Sequence, residues 1–219
     1  SIYLTAFDAW LRNQPQRAVA RLDAALTAQP LAGIPERDRP YTSLARVYAI
    51  AGRPDRARAV LGQFAQVKDT AYYRSRQNEV HEVLGEIALA EKRYSDAIKE
   101  FRRADLGTDG HPATDDPTRV EFNLGRAFAA SSRFSDALPQ FEAAAKFSGG
   151  REPAILQMLA AMYSETGSYQ RAIEVARQAL ELSEQQKNSD LATSLRGNLA
   201  RYHGPDGERG DRAGGRAAG

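Results

Sequence analysis

His111 stands in the stretch LGTDGHPATDDPT, 106–118, with Asp109, Asp115 and Asp116 around it, so an imidazole and three carboxylates share one short segment. A bound metal needs a second strong ligand at a fixed helical or turn spacing. A single histidine on a Gly/Pro-rich loop supplies none, and the stretch is read as a solvated connector. Glu79, Glu82 and Glu86 are spaced three and four apart, the period of one helix face. Acid–base work by paired carboxylates needs an apolar pocket to separate their pKa values, and nothing in the surrounding letters suggests one. Arg209-Gly210-Asp211 spells an adhesion tripeptide. It falls in a tail, 204–219, built almost wholly of Gly, Arg, Asp and Ala, where composition alone produces such a match. There is no nucleophile elbow, phosphate-binding glycine loop or His-Glu pair on a helix, and with no cysteine there is neither a disulfide nor a thiolate metal site. The expectation is a protein that is not an enzyme and that carries no cofactor and no metal.

The elements that could position anything are helices. Prolines and glycines cluster at 30–40, 105–117, 148–153 and 204–219, leaving long segments rich in Ala, Leu, Arg, Glu and Gln. Thirty basic residues against twenty-eight acidic ones leave a formal charge of +2, too small to demand nucleic acid. No apolar run approaches the roughly 20 residues that span a bilayer. The 204–219 tail has no large apolar residue and is expected to be disordered. The chain starts on Ser1 with a helical period already under way, which suggests a C-terminal region of a larger bacterial protein. A cytoplasmic setting is expected, or an extracytoplasmic one if that parent is membrane-anchored.

The chain spells one pattern repeatedly. LGEIALAEKRYSDAIKEF, from Leu84, is followed forty residues later by LGRAFAASSRFSDALPQF, from Leu124, with eight of eighteen letters identical. The gaps that run from Leu84-Gly85 through Ala88, Ala97, Phe101 and Ala104 recur from Leu124-Gly125 through Phe128, Ala137, Phe141 and Ala144. They recur from Leu44-Ala45 through Tyr48, Ala57, Leu61 and Phe64, and from Leu159-Ala160 through Tyr163, Ala172, Ala176 and Ala179. Ala6, Ala9, Ala18, Leu22 and Ala25 make an imperfect fifth copy. Each copy reads as two helices with a short polar break. Ser95 and Ser135 are expected to accept from free N–H groups at the second helix, with Asp96 and Asp136 facing its positive end. Small letters at 45, 85, 125 and 160 and at 57, 97, 137 and 172 mark where the paired helices cross closely. Pro139 lies about a turn inside a second helix and is expected to kink or shorten it.

These letters, Leu-Gly, an aromatic or alanine, alanine, an aromatic and alanine, resemble the tetratricopeptide repeat family over about residues 1–182. The copies are 35–40 residues apart where the family uses about 34. The resemblance implies an all-α fold, an α-solenoid of stacked antiparallel helix hairpins coiling as a right-handed superhelix. The array is expected over 1–203, in units 1–30, 38–77, 78–105, 118–147 and 153–187, closed by a helix at 189–203 whose stripe is Leu191, Leu195 and Leu199.

In this family the first helices line a concave groove that holds a partner's peptide or helix. Carried onto this sequence, the groove letters are Thr42, Ser43 and Arg46, then Glu82, Val83 and Glu86, then Arg119, Phe122, Asn123 and Arg126, and then Gln157, Met158 and Ala161. The candidate partner-binding residues are Arg46, Glu82, Glu86, Arg119, Phe122, Asn123, Arg126 and Gln157, an acidic band between two basic ones. No lysine completes the set with which some members grip a terminal carboxylate. The implied function is a protein–protein interaction scaffold, with a regulatory or sensing region of a larger kinase or glycosyltransferase as the alternative. Nucleic-acid binding ranks below both.

Overall fold

The computed structural model describes residues 15–105 and 117–203, and among them every regular element is a helix. His111 and its aspartates, Ala6 and Ala9 of the imperfect copy, and the 204–219 tail lie outside the described residues. The chain forms two compact units, Ser1–Asp115 and Asp116–Gly219.

The first unit runs α1 (Pro15–Ala28), two single 3-10 turns at Leu31–Gly33 and Glu36–Asp38, α2 (Tyr41–Ile50), α3 (Pro54–Phe64), α4 (Thr70–Ser75), α5 (Gln77–Ala90) and α6 (Tyr94–Ala104). The second runs α7 (Pro117–Ala130), α8 (Phe134–Phe147), α9 (Pro153–Glu165), α10 (Tyr169–Gln185) and α11 (Ser189–Tyr202). Helices α3 and α9 open on proline, whose missing N–H costs nothing in a first turn. The hairpins α2/α3, α5/α6, α7/α8 and α9/α10 coincide with the four clear copies of the repeat.

Each hairpin turns in one way. A residue with left-handed backbone follows the first helix: Gly52 at φ 74°, Lys92 at 60°, Ser132 at 58° and Gly167 at 80°. The next N–H reaches back five residues, from Arg53 to Tyr48 at 2.8 Å, Arg93 to Ala88 at 2.8 Å, Arg133 to Phe128 at 2.9 Å and Ser168 to Tyr163 at 2.7 Å. These bonds satisfy last-turn carbonyls that would otherwise be orphans. The α10/α11 connection repeats the device with Lys187 and an Asn188 to Ser183 bond of 2.8 Å.

The second helices begin differently from expectation. α6 and α8 start at Tyr94 and Phe134, one residue before Ser95 and Ser135, and neither serine caps them. Arg93 and Arg133 occupy the cap positions, and their guanidinium groups pair with Asp96 and Asp136 in the first turn. Side-chain caps occur at α4, where Asp69 accepts from the Tyr72 N–H, and at α11, where Asn188 accepts from the Leu191 N–H. Pro139 does not shorten α8, which runs fourteen residues through it. The proline is exposed, so water can reach the one carbonyl that loses its helical donor.

The small letters do what the crossing requires. Ala57, Ala97, Ala137 and Ala172 are each fully buried. Gly85 and Gly125 lie under the rings of Phe101 and Phe141 from the second helix of the same hairpin. In the first unit α4 accounts for part of the long spacing. It sets Tyr72 and Tyr73 at 5.8 and 5.1 Å from the Phe64 ring, which also meets Tyr41 at 5.6 Å. Such aromatic pairs contribute about 0.5–1.5 kcal/mol each beyond burial.

Neighbouring hairpins are also joined by polar contacts. The Tyr48 hydroxyl donates to Asp23 on α1 at 2.7 Å while Arg56 covers the Tyr48 ring. The second unit repeats this, with Tyr163 donating to Glu142 on α8 at 2.6 Å and Arg171 over the ring.

Candidate functional site

In the first unit, Arg46 on α2 pairs with Glu82 on α5 at 3.0 Å, the guanidinium half-buried and the carboxylate side chain only 7 % exposed. Glu86, one turn further along α5, is 1 % exposed. The basic and acidic bands expected as separate neighbours are joined in the structure, so this charge is buried more than it is displayed. The Arg46 Nε is also buried and has no hydrogen-bond partner among the described residues. Thr42, on the same face of α2, donates to Glu79.

In the second unit, Phe122, Asn123 and Arg126 come together on α7. The Arg126 guanidinium lies 5.8 Å from the centre of the Phe122 ring and donates to the Asn123 Oδ1 at 3.2 Å. Phe122 in turn meets Phe141 edge-on at 5.8 Å. Asn123 is buried, whereas Arg119, Phe122 and Arg126 keep part of their surface open. The result is a cation held over an aromatic ring on one helix, suited to a carboxylate, a backbone carbonyl or a further ring.

Gln157 lies on α9, half-buried, and donates to the Ser194 hydroxyl on α11 at 2.8 Å. The closing helix thus supplies the next strip of the same face. Its buried stripe is Ala192, Leu195 and Tyr202, with Leu191 and Leu199 only half-covered.

One turn beyond Gln157 the face continues through Ala161 to Ser164 and Glu165 and opens into a recess of about 250 Å³, also lined by Tyr169, Arg201 and Tyr202. Tyr202 is 2 % exposed and its hydroxyl has no hydrogen-bond partner among the described residues. Burial pushes this phenol above its ordinary value, with Arg201 pulling it down and the Glu165 charge adding to the rise. The repeat letters mark this face only as far as Ala161. Carrying the same three-and-four spacing one more turn reaches Ser164 and Glu165, but no letter pattern announces that Tyr202 folds back beside them.

Among the described residues no three His, Asp or Glu side chains gather as a metal would need, and no helix is long and apolar enough to cross a membrane.

A sequence profile described as tetratricopeptide repeat matches residues 42–112 and 122–187. Among solved structures the chain is similar to a thermophilic TPR protein of Thermus thermophilus, at 17 % identity and a TM-score of 0.58, covering 91 % of this chain and 97 % of that one. It is also similar to PilF of Pseudomonas aeruginosa, at 19 % identity and TM-score 0.50 with 92 % and 90 % covered, and to MamA, at 17 % identity and TM-score 0.51 with 84 % and 96 % covered. No curated protein sequence matches. These likenesses carry the helix-hairpin fold and nothing of function.

Proposed function

We infer, from a chain that belongs to the tetratricopeptide repeat family, that the protein is an interaction scaffold whose first helices present a partner-binding face. The observation that carries this is the Phe122–Asn123–Arg126 group. An arginine fixed over a half-open aromatic ring, with its amide support buried, is a pre-ordered recognition element and contributes little to a core. Arg119 extends the same face of α7, and Gln157 adds a polar contact on α9. Arg46, Glu82 and Glu86 enter as the wall that shapes the corresponding face of the first unit, Arg46 being the member with open surface. The partner is a protein or peptide segment with acidic or aromatic groups for Arg126 and Phe122.

The test is a displayed random-peptide library selected on the wild-type chain. Selected peptides should share acidic or aromatic positions, and Arg126→Ala should weaken them about tenfold, in the range of interface hot spots. Lys146→Ala, on the exposed side of a second helix, should leave them unchanged. Circular dichroism would check that both variants keep the wild-type helicity. Peptides indifferent to Arg126 and sensitive to Lys146 would overturn the assignment.

A further inference from the structure

We propose that the recess at Ala161, Ser164, Glu165, Tyr169, Arg201 and Tyr202 is a side-chain pocket for a primary amide, a glutamine or asparagine of the bound partner. The inference rests on the binding-face reading above and names what one part of that face selects.

Three observations converge. The recess lies on the continuation of the Gln157 face, at the spacing 157, 161, 164 and 165, so a segment running along α9 reaches it. Its volume of about 250 Å³ is sufficient for one side chain. Its polar equipment is complementary to an amide. Glu165 is exposed and brings an acceptor with negative charge; Arg201 is exposed and brings donors with positive charge, held by a 2.9 Å bond to the Asn198 Oδ1. The two charges cancel. A carboxylate entering would meet Glu165, and an ammonium would meet Arg201, each losing water without full compensation. A neutral group with a donor end and an acceptor end suits both walls: its NH2 donates to Glu165, and its carbonyl accepts from Arg201 and from the Tyr202 hydroxyl.

Tyr202 is the discriminating element. Its hydroxyl is buried with no hydrogen-bond acceptor among the described residues, while the Arg201 guanidinium, which carries donors only, lies 5.7 Å from the centre of its ring. A buried hydroxyl without a partner lowers stability. A ligand carbonyl supplies the missing acceptor, so the group that weakens the free protein strengthens the complex, and a side chain lacking that carbonyl is rejected.

The experiment titrates the isotope-labelled full chain with N-acetyl-glutamine methylamide and, separately, with the matching glutamate and lysine compounds, following backbone resonances. The glutamine probe should give saturable shifts at 161–169 and 198–203, and the two charged probes should bind about tenfold more weakly, the worth of one good hydrogen bond. Tyr202→Phe should reduce glutamine-probe affinity by a similar factor while its melting temperature stays level or rises, a pairing that a merely structural tyrosine would not show. Equal or tighter binding of either charged probe, absence of saturable shifts, or undiminished binding by Tyr202→Phe overturns the proposal. Library peptides that still bind the Phe122–Arg126 face while the glutamine probe fails would overturn the recess alone. A saturating probe with no peptide capture would overturn the binding-face reading alone.

Discussion

The Phe101 ring occupies the space a side chain on Gly85 would need: a Cβ built there would stand 2.4 Å from the ring edge. Phe101 is 1 % exposed and packed on all sides, so the ring cannot swing away cheaply. The same pairing one copy later is looser, with a Cβ on Gly125 meeting the Phe141 ring at 3.0 Å. Alanine in a helix is worth about 1 kcal/mol over glycine, and overpacking costs about 1–3 kcal/mol. Gly85→Ala is therefore expected to destabilise by about 1–2 kcal/mol, while Gly125→Ala stays within about 1 kcal/mol of wild type. Denaturant titration of both variants checks this. A Gly85→Ala chain as stable as Gly125→Ala would mean that the ring moves.

The hairpin turns give a second prediction. Lys92 and Ser132 adopt the left-handed conformation that Gly52 and Gly167 adopt at the matching positions. A side chain there is strained, and glycine is not. Lys92→Gly and Ser132→Gly should each raise stability by roughly 0.5–1 kcal/mol, and Gly52→Ala should lower it by a similar amount. Thermal midpoints would show it, and a drop on Lys92→Gly would contradict it.

A third concerns acid. Glu91 accepts from Arg58 on α3 at 2.7 Å and from Arg93 at 2.9 Å, and these two guanidinium groups hold its carboxyl down at about 2. A depressed carboxylate stabilises above its unfolded value of 4.5, and that contribution disappears as pH falls towards about 2. Glu91→Gln should melt below wild type at neutral pH, with the difference narrowing from pH 4.5 downward. A constant difference across that range would show that the two arginines do not act on it.

What the letters make legible is what repeats. The Leu-Gly, Ala and Phe positions recur because every hairpin solves the same packing problem, so their spacing exposes the fold, the helix pairs and the close crossings at Gly85 and Ala97. What they hide depends on single contacts across sequence distance. Arg46 and Glu82 look like two surface charges until α2 and α5 are set side by side, and the pair then proves to be part of the wall. Ser95 reads as a cap, but Arg93 reaches the first turn instead, because the left-handed residue before it fixes where the helix begins. The recess is hidden for the same reason: Tyr202 and Glu165 lie 37 positions apart, and only the fold puts them on one cavity.

The Tyr48–Asp23 bond ties α2 to the helix before it, and it is one of the influences on the Tyr48 proton. Burial, and after it the hydrogen bond to Asp23, pushes the Tyr48 phenol up to about 12 from an ordinary value of 10. A raised value means that the folded state holds the proton more tightly than the unfolded chain does. The associated stability is complete below pH 10 and is lost as pH rises through about 12. Tyr48→Phe removes the bond, leaves Asp23 paired with Arg56, and should cost about 1 kcal/mol at neutral pH. It should also flatten the alkaline limb, since no proton remains there to lose. Melting temperatures of wild type and variant from pH 10 to 12, with tyrosinate absorbance followed in parallel, make the comparison. If the variant falls with alkaline pH as steeply as wild type, another tyrosine governs that limb. Tyr163, which donates to Glu142 in the second unit and is raised by burial and that bond, is the next to replace.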